Sequence, residues 1–161
     1  TCESSVPGVY AVGDVNGGPQ FTYISLDDFR IVFGALTGNG HYTLKDRKNI
    51  PYTTFLTPPL ARVGLTEEDA INKGYTVKTK EMLVATMPRA HVNDNLKGAF
   101  KIVVDAESNL ILGATLYSQS AEELINMIKV AMDNNIPYTY FKNQIFTHPT
   151  MAENLNDLCN F

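Results

Sequence analysis

Two β-rich runs, Ala99–Val104 and Leu110–Tyr117, are joined only by Asp105-Ala106-Glu107-Ser108-Asn109. A short polar link of this kind reads as a hairpin. Directly after it, Ser120 stands at a helix-cap position, with Glu123 as the third-position acid of a capping box. Ala121, Leu124, Ile125, Ile128, Ala131 and Met132 then make a continuous apolar face, and Pro137 marks the end of that helix. Strands followed by helices, rather than strict alternation, favour an α+β fold. Its core is an antiparallel sheet with helices packed on one face.

The flanking segments extend this unit from Ile50 to Phe161, residues 50–161. Tyr52–Leu56 and Ala61–Leu65 read as short strands around Pro58-Pro59. Thr66 is a good N-cap for a helix through about Lys73, closed by Gly74. Thr76–Thr86 reads as another strand, bringing the sheet to about five. Thr150 with Glu153 starts a last short helix through Leu158.

Residues 1–49 read differently. Gly8–Asp14 has the pattern of a buried strand stopping at a Gly-Asp turn. Ser25–Leu36 follows a helical pattern with apolar Leu26, Phe29, Ile31, Val32, Phe33 and Leu36, and Gly38 and Gly40 end it. One strand and one helix have no core of their own. The piece reads as the tail of another domain, with residues 37–49 as a polar linker.

The bulk properties exclude some functions. At 161 residues the chain is about one domain long. A formal charge of −4 without a Lys/Arg cluster argues against a nucleic-acid partner. No apolar run approaches the ~18 residues of a membrane helix, and no signal peptide is visible, so no membrane partner is expected. Cys2 and Cys159 lie at opposite ends with no C-x-x-C spacing, which makes neither a redox motif nor a zinc site. No metal is expected, and a reducing cytoplasm is the default compartment. A chain that opens on Thr1 rather than Met reads as a piece of something longer.

The chemistry concentrates near the C-terminus, in F-T-H-P-T-M-A-E. His148 and Glu153 lie five residues apart across a proline and a helix start. A carboxylate beside an imidazole orients the ring and favours imidazolium, which can donate a proton to a leaving thiolate and take one from an incoming thiol. The alternative is structural: T-M-A-E is itself a capping box, in which Glu153 satisfies the Thr150 N–H and His148 is a turn residue. A carboxylate has two oxygens, so the two roles are compatible. Asp14 is the second candidate. A carboxylate after a Gly at a strand end can accept from sugar or ribityl hydroxyls, or can simply make an Asx turn. Gly17, Gly18, Gly38 and Gly40 form no G-x-G-x-x-G between strand and helix. His41 and His91 stand in polar stretches and read as solvated, and Arg89 reads as a surface charge.

Together these residues resemble the pyridine nucleotide–disulfide oxidoreductases, the flavin-dependent disulfide reductases. V-P-G-V-Y-A-V-G-D-V resembles that family's second flavin motif. I-P-Y-T-T-F-L-T-P-P-L-A-R-V-G-L-T-E-E-D-A resembles the opening of its C-terminal dimerisation domain, and H-P-T-M-A-E its catalytic His-Glu motif. The resemblance implies that Gly13 and Asp14 meet the ribityl chain of FAD, with the backbone near Thr22 beside the isoalloxazine ring. It implies that His148, paired with Glu153, serves as acid/base in the partner subunit's active site of a homodimer. M-P-R-A-H-V-N, I-P-Y-T-Y-F and E-N-L-N-D-L are similar to the bacterial hypothiocyanous acid reductases, often labelled mercuric-reductase-like. The implied substrate is therefore a small-molecule oxidant, with NAD(P)H as electron donor. A lone Cys159 in L-C-N-F, where mercuric reductases carry adjacent cysteines, weighs against mercury. The family's first flavin motif, its C-x-x-x-x-C pair and its nicotinamide domain are absent from this sequence. The chain by itself is expected to be inactive and to bind no cofactor tightly.

Overall fold

Five antiparallel strands in the order β1-β2-β5-β4-β3 organise residues 49–161. They are β1 (Tyr52–Thr54), β2 (Leu60–Gly64), β3 (Val77–Leu83), β4 (Ala99–Asp105) and β5 (Ile111–Tyr117). The computed structural model describes all residues, Thr1–Phe161, as two compact units, Thr1–Lys48 and Asn49–Phe161.

The central hairpin β4–β5 follows from its turn chemistry. Asp105 accepts from the Ser108 hydroxyl at 2.5 Å and from the Ser108 and Glu107 N–H groups. Asn109 takes the left-handed conformation that lets the chain reverse (φ 61°). Register then sorts the faces. Ala61, Leu116 and Phe100 align across one row, and Val63, Ala114 and Ile102 across the next, and all six are buried. Helix α4 (Ala121–Asp133) covers this face with Leu124, Ile125, Ile128 and Ala131, the apolar positions its sequence spacing specifies. Leu124, Ile125 and Ile128 each contribute roughly 1.5–3 kcal/mol by leaving water. Two short helices, α5 (Tyr138–Asn143) and α6 (Asn154–Leu158), fill the rest of the core with Phe141, Leu155 and Leu158. The small α3 (Pro88–Val92) adds Ala90 beside Met87. Lys101, on the opposite side of the sheet from Phe100 and Ile102, pairs at 2.7 Å with Glu67 of α2 (Glu67–Asn72).

Two local expectations need correction. Ser120 does not cap α4 with its side chain, and the box with Glu123 is not formed. Ser120 is left-handed (φ 67°), whereas a capping hydroxyl needs an extended residue to reach the next turn. The first turn is closed instead by Glu123 and Leu124 N–H groups donating to the Ser120 carbonyl. By contrast, Thr66 and Asp69 form a complete capping box on α2.

In the smaller unit, Gly8–Asp14 is neither a strand nor buried. Its only pairing is an isolated bridge between Glu3 and Tyr10, and Val9 and Val12 are exposed. A strand is stable only in a ladder, and this unit offers no second one. A 3-10 turn at Gly13–Asn16 leads into α1 (Thr22–Thr37). The α1 side chains buried here are Ile24, Asp28 and Ile31, whereas Leu26, Phe29, Phe33 and Leu36 lie in the open. The polar segment after α1 is fastened back onto it. Gly40 N–H donates to the Gly34 carbonyl, and Arg47 pairs with Asp27 at 2.8 Å and Asp28 at 2.6 Å. No helix is long and apolar enough to cross a membrane.

Candidate active site

His148 and Glu153 meet on the segment between α5 and α6. The His148–Pro149 peptide is cis. Beyond it, Thr150 N–H donates to Glu153 Oε1 at 3.0 Å, and Glu153 N–H donates to Thr150 Oγ1 at 3.2 Å. That is the reciprocal pattern of a capping box, set just before α6. The second carboxylate oxygen, Oε2, lies 2.8 Å from His148 Nδ1. One carboxylate therefore does both jobs that the sequence left open. The hydrogen bond from His148, helped by the Thr150 N–H, holds the Glu153 carboxyl below its ordinary range against a partial burial that pushes it up. The two side chains differ sharply in exposure, 69% for His148 and 18% for Glu153. With Nδ1 engaged, Nε2 is the nitrogen left to exchange a proton.

Helix α6 is a rigid base for this pair. Leu155, Leu158 and Cys159 are fully buried. Lys80, on β3 opposite Ile102, donates to the Asp157 and Asn160 carbonyls at 2.7 and 2.6 Å, closing the C-terminal end of α6. Burial pushes the Cys159 thiol up to about 12, despite nearby Lys80. Such a thiol is not ionised near neutral pH.

In the smaller unit, Gly13 adopts φ 74°, and a Cβ there would come within 3.0 Å of Ser25 Oγ. Its N–H donates to Asp28 at 2.8 Å, and Asn16 Nδ2 donates to the same oxygen at 2.7 Å. Burial pushes the Asp28 carboxyl up, but bonds from Arg47, the Gly13 N–H and Asn16 outweigh it and hold the group ionised. Asp14 is exposed, and its carboxylate has no hydrogen-bond partner. Thr22 opens α1, whose N-cap, Phe21, supplies no side-chain bond. No cluster of His, Cys, Asp and Glu suits a metal ion. His41 is exposed, and His91 is exposed with Nε2 2.8 Å from the Ala85 carbonyl oxygen. Arg89 sits on α3 with no ion pair.

The family model for the pyridine nucleotide-disulphide oxidoreductase dimerisation domain matches residues 50–159. The chain belongs to this family. It is 48% identical over 155 residues to the probable pyridine nucleotide-disulfide oxidoreductase RclA of Escherichia coli, spanning 96% of this chain and 35% of that protein. A mercuric reductase of Lysinibacillus sphaericus is 36% identical over 95% of this chain and 28% of its own length. The solved structure of the HOCl-induced flavoprotein disulfide reductase RclA from E. coli matches with a TM-score of 0.95 at 47% identity, covering 98% of this chain and 36% of that one. The chain thus spans only a minor part of the length of these relatives. The antiparallel sheet with its packed helices is the dimerisation-domain fold of the pyridine nucleotide-disulphide oxidoreductases.

Four supporting residues of this chain escape a reading of the sequence. Asp28 carries one signal, a charge on the buried side of α1. Lys80 carries another, a cation at an inward strand position. Arg47 and Asn156 carry none, because their partners are backbone groups or side chains far along the chain.

Proposed function

We propose that this chain is the C-terminal part of an FAD- and NAD(P)H-dependent disulfide-type oxidoreductase. In this reading, residues 50–161 supply the interface of a homodimer, and residues 1–49 complete the flavin-binding domain. His148, oriented by Glu153, enters the partner subunit's active site. There it protonates a departing thiolate and deprotonates an incoming thiol. The observation that carries this is the shared carboxylate, bonded to Thr150 N–H through one oxygen and to His148 Nδ1 through the other. A cap alone has no need of the imidazole.

The residues present fit the ribityl end of a flavin. Asp14 offers an unpartnered carboxylate on a turn fixed from behind by Asp28 through the Gly13 N–H. Thr22 presents the first turn of α1. When bound, FAD supplies the two-electron relay between nicotinamide and a disulfide.

The proposed substrate is hypothiocyanous acid or a related small oxidant, and the proposed compartment is the cytoplasm. Mercury is disfavoured because the single nearby thiol, Cys159, is buried and protonated. The test uses the full-length protein. Flavin absorbance and NAD(P)H consumption are measured against hypothiocyanite, glutathione disulfide, lipoamide and Hg²⁺. Flavin binding with selective turnover of hypothiocyanite is expected. A full-length protein without flavin or NAD(P)H turnover would leave only a non-catalytic dimerisation module.

A further inference from the structure

We infer that Asn156 is the positioning residue for the His148–Glu153 pair, fixing through backbone carbonyls the loop on which the imidazole stands. The inference rests on the acid/base reading of that pair.

The loop needs an anchor on its upstream side. From Ile145 to His148 no backbone N–H has a backbone partner, and Ile145 is 95% exposed. Downstream, the chain is tied by Glu153, by Thr150 Oγ1 donating to the Thr147 carbonyl at 2.8 Å, and by Asn154 Nδ2 donating to Thr150 and Met151 carbonyls. Upstream, Phe146 rests on the core, but packing of one ring does not set a hydrogen-bonded register.

Asn156 supplies that register. It lies on α6, one turn after Glu153. Its side-chain amide donates to the Phe141 carbonyl at 2.6 Å and the Gln144 carbonyl at 2.9 Å, with a longer contact to Lys142 at 3.3 Å. These carbonyls belong to the last turn of α5 and its cap, where helical partners run out. One amide therefore joins the point where the loop leaves α5 to the helix that carries Glu153. The separation between loop start and carboxylate is fixed, and with it the reach of the imidazole. Phe141 also packs in the core, so the clamp is referred to the sheet.

Asn156→Asp tests this, because it keeps the shape but replaces the donating amide with an acceptor facing the carbonyl oxygens. Asn156→Ala removes the donors without adding charge and serves if the Asp variant does not fold. On the chain itself, ¹⁵N relaxation should show order lost at Ile145–His148 while the β4 and β5 amides stay rigid. The Glu153 carboxyl titration, followed by ¹³C NMR, should move up toward the ordinary range. In the full-length enzyme, kcat should fall by about tenfold with KM nearly unchanged, and Asn156→Asp should add little to His148→Ala. Unchanged loop order and an unchanged Glu153 titration would overturn the inference. If those two move while His148→Ala retains full turnover, Asn156 still positions the pair and the acid/base reading is what fails.

Discussion

Glu153 Oε2 lies 2.8 Å from His148 Nδ1 while its other oxygen holds the Thr150 N–H, so the residue that orients the imidazole also caps the segment that carries it. Removing the side chain confounds two roles, and only a substitution that separates charge from hydrogen bonding can part them.

Glu153→Gln does so, because Gln keeps an oxygen for the Thr150 N–H and loses the negative charge beside His148 Nδ1. In the full-length enzyme it should cut turnover and shift the pH–rate profile, with a nearly unchanged melting temperature. His148→Ala should lower turnover by roughly 10²–10⁴, the usual range for a lost general acid/base. Thr150→Ala should cost about 0.5–2 kcal/mol of stability, as the cap is lost. Full turnover in both His148→Ala and Glu153→Gln would leave Glu153 as a cap and nothing more.

Acid should loosen the smaller unit through Asp28. Its carboxyl is held below the ordinary 3.8, so it contributes stability fully above that value. The contribution falls away as pH drops from 3.8 through the lowered folded value. Asp28→Asn, which removes the buried carboxylate that pairs with Arg47, should cost on the order of 3 kcal/mol and flatten this acid transition. NMR of the Gly13 and Asn16 amides across the titration checks it. An identical transition in both proteins would contradict the role of Asp28.

Cys159 should be chemically silent in the native chain. With its thiol pushed up to about 12 and no exposed surface, it should react with iodoacetamide at neutral pH only after unfolding. Labelling followed by peptide mass spectrometry reads this directly. Native labelling at the rate of a free thiol would reopen a role for Cys159 in receiving metal or oxidant.

The hairpin, the α4 apolar face and the Thr66 cap were legible in the sequence because each depends on neighbours in the chain. Asp105 and Ser108 find each other three residues apart, and Leu124 and Ile128 share a helix face by spacing alone. The His148–Glu153 contact was legible for the same reason. The Ser120 cap was misread because a backbone angle, not the residue type, decides whether a hydroxyl reaches the next turn. Gly8–Asp14 was misread because an apolar run forms a strand only beside a partner strand. Asn156 was invisible because it binds carbonyls, which every residue has.

The chain should self-associate through residues 50–161 and remain colourless. Exposed apolar side chains on the larger unit, including Ile145, Phe55 and Tyr140, favour a mate. Sedimentation at tens of micromolar should show concentration-dependent dimers, with no flavin band near stoichiometry. A monomer at all concentrations, or a yellow protein, would contradict one half each.

The proposal that His148 acts across the interface is tested most directly by mixing two inactive full-length variants, one His148→Ala and one lacking the proposed redox cysteines of its preceding domains. If His148 serves the partner subunit, each hybrid dimer regains one complete site, and random pairing should restore about a quarter of wild-type activity. If the mixture stays inactive although native mass spectrometry shows hybrids, His148 does not act across the interface.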